Sequence, residues 1–237
     1  MLTIKPSKLN IKPESNVLDM GCGEGRHTIS LNVFDNVNAF GFDMSVTDLK
    51  KSRDKLKDFN LNNLTSKCYF GATDIHHLPF ADDSFDAVIC SEVLEHIDSV
   101  PDSISELVRV LKPGGILAIS VPRFMPEWIC WRLSKGYQNM PGGHVRIFRQ
   151  NKLKKLTEQG GVSFLSFHWA HALHSPYWWL QCLFWETKED STLIKLYHKF
   201  LVWDLMKKPL ITKLLEKLLQ PLIGKSLVMY FRKNVGR

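Results

Sequence analysis

This 237-residue sequence predicts a doubly wound α/β fold. Three observations carry that prediction. Short apolar runs alternate with helical stretches of roughly 10–15 residues, the pattern of a parallel sheet with right-handed crossovers. Phe85–Cys90 (FDAVIC) is almost continuously apolar, as a strand buried on both faces must be. The first apolar run stops at a glycine cluster, Gly21, Gly23 and Gly25, which opens a helix.

Each element follows from its residues. Asn16–Met20 reads as the first strand, with a helix after it to about Val33. Ala39–Asp43 reads as the second strand, and Val46–Phe59 as a helix with lysines on its outer face. Lys67–Ala72 and Phe85–Cys90 are the third and fourth strands. Pro101–Leu111 is an amphipathic helix that Lys112-Pro113-Gly114-Gly115 should terminate, and Ile116–Val121 is the fifth strand. Residues 122–150 lack a strong period and read as a long excursion. Asn151–Gln159 is a basic amphipathic helix, and Val162–Trp169 and Leu227–Arg232 complete a seven-stranded, mostly parallel sheet. Roughly fifty residues of helical pattern precede the last strand. Within them Leu210, Ile211, Leu214, Leu215, Leu218, Leu219 and Leu222 form an apolar stripe bounded by Pro209 and Pro221.

Charge and aromatic content divide the chain. Residues 1–120 carry a net −5 and 8 aromatics, whereas residues 121–237 carry +12 and 18 aromatics, including all 7 tryptophans. We read one domain over 1–237, with 1–121 as a ligand-binding core and 122–150 and 174–223 as a substrate-side excursion and helical cover. Five cysteines, odd in number and without a CxxC pair, argue against a disulfide framework or zinc module and suit a reducing, cytoplasmic setting. The N-terminal stretch is too polar for a signal peptide. The longest uncharged run, Gln159 to Trp185, holds three histidines, two glycines and a proline, which excludes a transmembrane helix.

Val17-Leu18-Asp19-Met20-Gly21-Cys22-Gly23-Glu24-Gly25 joins a strand to a helix through GxGxG. That is not the GxGxxG of pyrophosphate binding, and no lysine follows to make a P-loop. Asp19 would repel a phosphate and suits a cationic ligand. Asp43 closes the second strand, where an acid accepts from ribose hydroxyls. A ribose ligand with positive charge and no phosphates fits S-adenosylmethionine better than NAD or ATP. A tight structural turn at Asp19, a helix N-cap at Asp43 and a plain turn at Asp74 are the competing readings.

VLDMGCGEG, GFDMS, ATDIHHLPFADDSFDAVICSEVLEHI and RVLKPGGILAISVPR together resemble class I S-adenosylmethionine-dependent methyltransferases of the ubiquinone/menaquinone type. The likeness is strong over about residues 10–121 and weak over 144–170. It implies a Rossmann-like fold and S-adenosylmethionine as cofactor, with S-adenosylhomocysteine as product. It also implies roles for single residues. Asp19 would lie near the methionine amine, with Gly21, Cys22 and Gly23 forming the turn beneath the cofactor. Asp43 would hold the ribose and Met44 would lie against the adenine. Asp74 and the Ile75 N–H would read the adenine edge, and Ser91 would contact the methionine portion.

Methyl transfer is an in-line displacement that needs positioning, and it needs a base only where the acceptor carries a proton of high pKa. His96, after the fourth strand, and His144, in the excursion, are the candidate catalytic residues, against the alternative of structural histidines. Glu92 and Glu95 have lower claims, Glu95 as a holder of its loop. His168, His171 and His174 form HxxHxxH, but on a strand they do not converge, and no metal ligands are assigned. Residues 174–223 hold 8 aromatics and 7 lysines. They either pack as ordinary core or lie against an anionic bilayer and admit a small lipophilic acceptor. An RNA substrate held by the basic half and a soluble polar metabolite are the rival acceptors.

Overall fold

The computed structural model describes residues 2–59 and 65–235. The strands are β1 (Asn16–Met20), β2 (Asn38–Asp43), β3 (Cys68–Ala72), β4 (Phe85–Ser91), β5 (Leu111–Pro122), β6 (Val162–Ala170) and β7 (Ser226–Lys233). They form one seven-stranded sheet in the order β3-β2-β1-β4-β5-β7-β6, in which β7 alone runs opposite to the other six strands. The carboxyl ends of β1, β2 and β4 therefore lie side by side at the point where strand order reverses, the place where such sheets bind ligands.

The helices are α1 (Arg26–Asp35), α2 (Val46–Leu56), α3 (Val100–Val110), α4 (Phe124–Leu133), α5 (Lys135–Gln138), α6 (Gln150–Gln159), α7 (His174–Leu183), α8 (Thr192–Lys207) and α9 (Leu210–Ile223). α2 starts where the Ser45 side chain accepts from the Asp48 N–H, one of the donors a helix start leaves unpaired. The sheet is covered on both faces. Leu18, Val88 and Leu117 pack with Ile104 and Leu107 of α3 and Leu153 of α6. Val17, Ile89, Ala118 and Tyr230 pack with Leu31 of α1 and with Ile4 and Leu9.

Four expectations change. Lys112–Gly115 does not lie between α3 and a strand; it is the start of β5, set off by a register shift against β4 between Phe85 and Ala87. Residues 122–150 are not irregular, because α4 and α5 occupy 124–138. Their side chains Cys130, Trp131 and Tyr137 pack with Cys182 and three tryptophans, Trp178, Trp179 and Trp185, a periodicity that a mixed aromatic surface hides. Pro221 lies inside the last turn of α9 instead of bounding it. The three histidines do not lie on one strand, because β6 ends at Ala170 and His174 begins α7. His168 stacks on Tyr230, and burial pushes its pKa down to about 4, while His171 hydrogen-bonds Thr3 Oγ1.

The cover is attached by polar groups. Glu216 of α9 accepts from the Ala172 and Leu173 N–H groups at 2.7 and 2.9 Å, at the exit of β6. The Arg123 guanidinium donates to the Gln220 and Pro221 carbonyls at 3.1 and 2.8 Å, closing the carboxyl end of α9. Ser175 Oγ donates to the Ile223 carbonyl. With these contacts and the buried Thr212 inward, the leucine stripe turns outward: Leu210 is 83%, Leu214 58% and Leu218 61% exposed. No described helix is long and apolar enough to cross a membrane.

Candidate active site

The glycine turn is shaped from both sides. Gly21 has φ +73, and a Cβ there would fall 2.2 Å from Val93 Cγ2, in the loop that follows β4. Gly23 has φ +52, and a Cβ there would meet nothing within 4 Å, so the backbone faces open space a ligand can enter. Gly21→Ala should cost about 1–3 kcal/mol, from the left-handed conformation and from displacing a stiff β-branched neighbour. A thermal melt would show it, together with lost affinity for whatever lies on the turn. An unchanged melting temperature and affinity would contradict this geometry.

Asp19, at the end of β1, is buried. Its Oδ2 accepts from the Thr28 N–H at 3.1 Å and from Thr28 Oγ1 at 2.7 Å, in the first turn of α1. Oδ1 has no partner among the described residues. Burial pushes this carboxyl up to about 6, against the pull of the Thr28 hydrogen bonds. Asp43 organises the turn directly. Its Oδ2 accepts from the Gly23 N–H at 2.8 Å and its Oδ1 from the Ser45 N–H at 2.8 Å. It thereby ties the β1 turn to the start of α2, while Ser45, not Asp43, is the N-cap.

The remaining predicted binding residues are placed as follows. Met44, beside Asp43, is an exposed apolar side chain. Asp74 accepts from the His76 N–H at 3.0 Å and pairs with its ring at 2.8 Å, contacts that hold its carboxyl below the usual range. The Ile75 side chain is buried in the core. Ser91 Oγ bonds Ser120 Oγ at 2.8 Å, and Ser120 donates onward to Glu92. Cys22 has its thiol pushed up by burial and the two nearby aspartates. A groove of about 1210 Å³ reaches from Gly21, Cys22 and Gly23 to Asp204, Lys208 and Thr212 of the cover. Neither Asp43 nor Asp74 lines it, so this space belongs to the α1 side of the turn.

His96 and His144, far apart in sequence, meet with ring centroids 4.9 Å apart. His96 Nδ1 lies 3.1 Å from the Gly143 carbonyl, which can only accept. His144 Nδ1 lies 2.6 Å from Glu127 Oε1, a contact joined by the Tyr137 hydroxyl. Both rings therefore carry their proton on Nδ1 when neutral and leave the Nε2 lone pair free of those contacts. Both line a cavity of about 390 Å³ with Trp131, Met140 and Val145. Glu127 escaped the sequence reading. Its one signal was an acid alone in the apolar stretch 124–131. The Glu95 carboxylate is buried with no hydrogen-bond partner among the described residues and lies 4.0 Å from His96 Nε2, while its backbone carbonyl accepts from the Val145 N–H.

A family model described as a methyltransferase domain matches residues 11–161, well over half of the chain. The chain belongs to this methyltransferase-domain family. Its sheet order and glycine turn are those of the class I members, whose cofactor is S-adenosylmethionine. Sterol 24-C-methyltransferase of Schizosaccharomyces pombe is 33% identical over 140 residues, 59% of this chain and 34% of that protein. The ubiquinone/menaquinone biosynthesis C-methyltransferase UbiE of Vibrio campbellii is 32% identical over 110 residues, 46% of this chain and 41% of that protein. The chain thus matches less than half the length of these curated relatives. The fold extends further: the cyclase SpnF superposes with a TM-score of 0.65 at 19% identity, covering 97% of this chain and 78% of SpnF. S-adenosylmethionine fits the methyltransferase turn, since Asp19 Oδ1 is a buried acceptor lacking a donor and Gly23 leaves room for close approach.

Proposed function

We propose that this methyltransferase domain, acting as one unit over 1–237, methylates a small lipophilic acceptor at the surface of an anionic membrane. The observation that carries the proposal is the outward leucine stripe of α9, flanked by the exposed Lys213 and Lys217. An apolar helix face beside cations suits the headgroup boundary of a bilayer. The sterol and quinone-pathway relatives support acceptors of this class.

When bound, S-adenosylmethionine supplies a methyl group activated on a sulfonium. The chain's part is positioning. Asp19 would hold the amine, Gly21, Cys22 and Gly23 the underside, Asp43 the ribose, Met44, Asp74 and Ile75 the adenine, and Ser91 the methionine end. The cavity at His96 and His144 is the acceptor side; Val93, whose side chain crowds Gly21, belongs to the same loop as His96 and its carbonyl accepts from the His96 N–H. Trp131, Met140 and Val145 give it an apolar side, and His96 and His144 are the catalytic groups that would face an acceptor. Labelled-methyl transfer into fractionated lysate tests this reading. Label should enter the lipid extract; label confined to RNA or to water-soluble metabolites would overturn it.

A further inference from the structure

We propose that Glu95, His96 and His144 form a binding site for one divalent cation on the acceptor side of the sheet. One donor atom from each of these residues lies within 4.8 Å of the others. That spacing lets a single ion at ordinary ligand distances of about 2.0–2.2 Å reach all three after small side-chain adjustments. Two features suit this cluster to a cation.

The first is the histidines' outer contacts. Each Nδ1–H is spent on an oxygen, Glu127 for His144 and the Gly143 carbonyl for His96. A ligating imidazole has this arrangement, because the outer hydrogen bond fixes the tautomer and raises the basicity of Nε2. The second is Glu95. It is 1% exposed, and neither carboxylate oxygen has a hydrogen-bond partner among the described residues. Its nearest recorded ring nitrogen, His96 Nε2, is 4.0 Å away. The ionised form of a carboxyl buried without donors is costly, and a cation at ligand distance offsets that cost. Glu92, one turn of chain earlier, adds negative charge to the same loop and lies 4.0 Å from Lys225.

Two imidazoles and one carboxylate, with open positions toward the cavity, suit Mn2+, Fe2+ or Zn2+ better than Ca2+. An ion there lowers the pKa of a hydroxyl that completes its coordination, and the proton leaves to solvent. His96 and His144, the catalytic candidates above, are in this account ligands that act on the acceptor through the ion, and Glu127 is a positioning residue. The role in acceptor activation rests on the methyl-transfer proposal; cation binding does not.

Mn2+ added to the chelator-treated full chain is the test, followed by electron paramagnetic resonance of the free ion. One ion per chain should bind. Glu95→Gln and His144→Gln should each weaken it at least ~100-fold, and Glu127→Gln about 10–100-fold. Without any variant, bound Mn2+ should broaden the ring signals of His96 and His144 in the wild-type spectrum. No saturable binding, equal binding by the variants, or an ion that leaves those signals sharp would each overturn the proposal. Titrating S-adenosylmethionine into the same samples reads the methyltransferase proposal separately. Mn2+ binding without cofactor binding would overturn that proposal alone.

Discussion

Leu214→Glu with Leu218→Glu should abolish binding to vesicles containing anionic lipid and leave the folded chain as stable as before. Both side chains are more than half exposed, so neither removal opens a cavity. Burying the exposed part of each leucine at a headgroup boundary is worth about 1–2 kcal/mol. Two glutamates add repulsion from the anionic surface. The combined loss is on the order of 100-fold or more in partitioning. Lys213→Ala with Lys217→Ala should act more mildly, about 1 kcal/mol per lysine, and the remaining binding should weaken less with added salt. Sedimentation with vesicles measures both. Wild-type protein that stays in the supernatant at low salt, or a double-glutamate variant that partitions equally, would remove the membrane from the proposed function.

Asp19→Asn should weaken S-adenosylmethionine about 10–100-fold near pH 8, the scale of a charge-assisted hydrogen bond in a buried site. Wild-type affinity should itself depend on pH. The Asp19 carboxyl titrates at about 6 in the free chain, so below that pH it is neutral and must lose its proton before it can hold a cationic amine. Affinity should fall by up to about tenfold per unit as pH drops below 6, and the asparagine variant should lack this contribution. Stability runs the other way. A carboxyl raised above its unfolded value favours the folded chain fully below about pH 4, and that advantage is lost as pH rises through 6. The loss is about 3 kcal/mol for a shift of this size. The difference in urea stability should therefore move toward the variant between pH 4 and pH 6. Calorimetric affinities at pH 5, 6 and 8 decide the matter. A flat wild-type profile would mean that Asp19 acts only as the acceptor for Thr28.

Much of the fold was legible because its signals are local. The continuous apolar character of Phe85–Cys90 and the glycine cluster after Met20 depend on neighbouring residues, and both elements stand where expected. The glycine turn and its buried acid were legible for the same reason, since Asp19, Gly21 and Gly23 lie within five positions of one another. Local signals failed where packing dominates. Lys112–Gly115 has the composition of a turn, yet its pairing beside β4 makes it strand. The aromatic α4 has no clean apolar face because it packs against other aromatics.

By itself, then, the sequence determined the α/β class, the glycine turn and the acidic positions at its strand ends, because period and spacing are properties of the chain. Tertiary structure decided the rest. It brought Glu127 to His144 and His144 to His96 across 17 and 48 positions, which no local pattern encodes. It also decided which way the α9 stripe faces. An amphipathic helix has the same period whether its apolar side meets core or solvent. Here the polar partners of Glu216 and Arg123 lie inward, so the leucines were left outside.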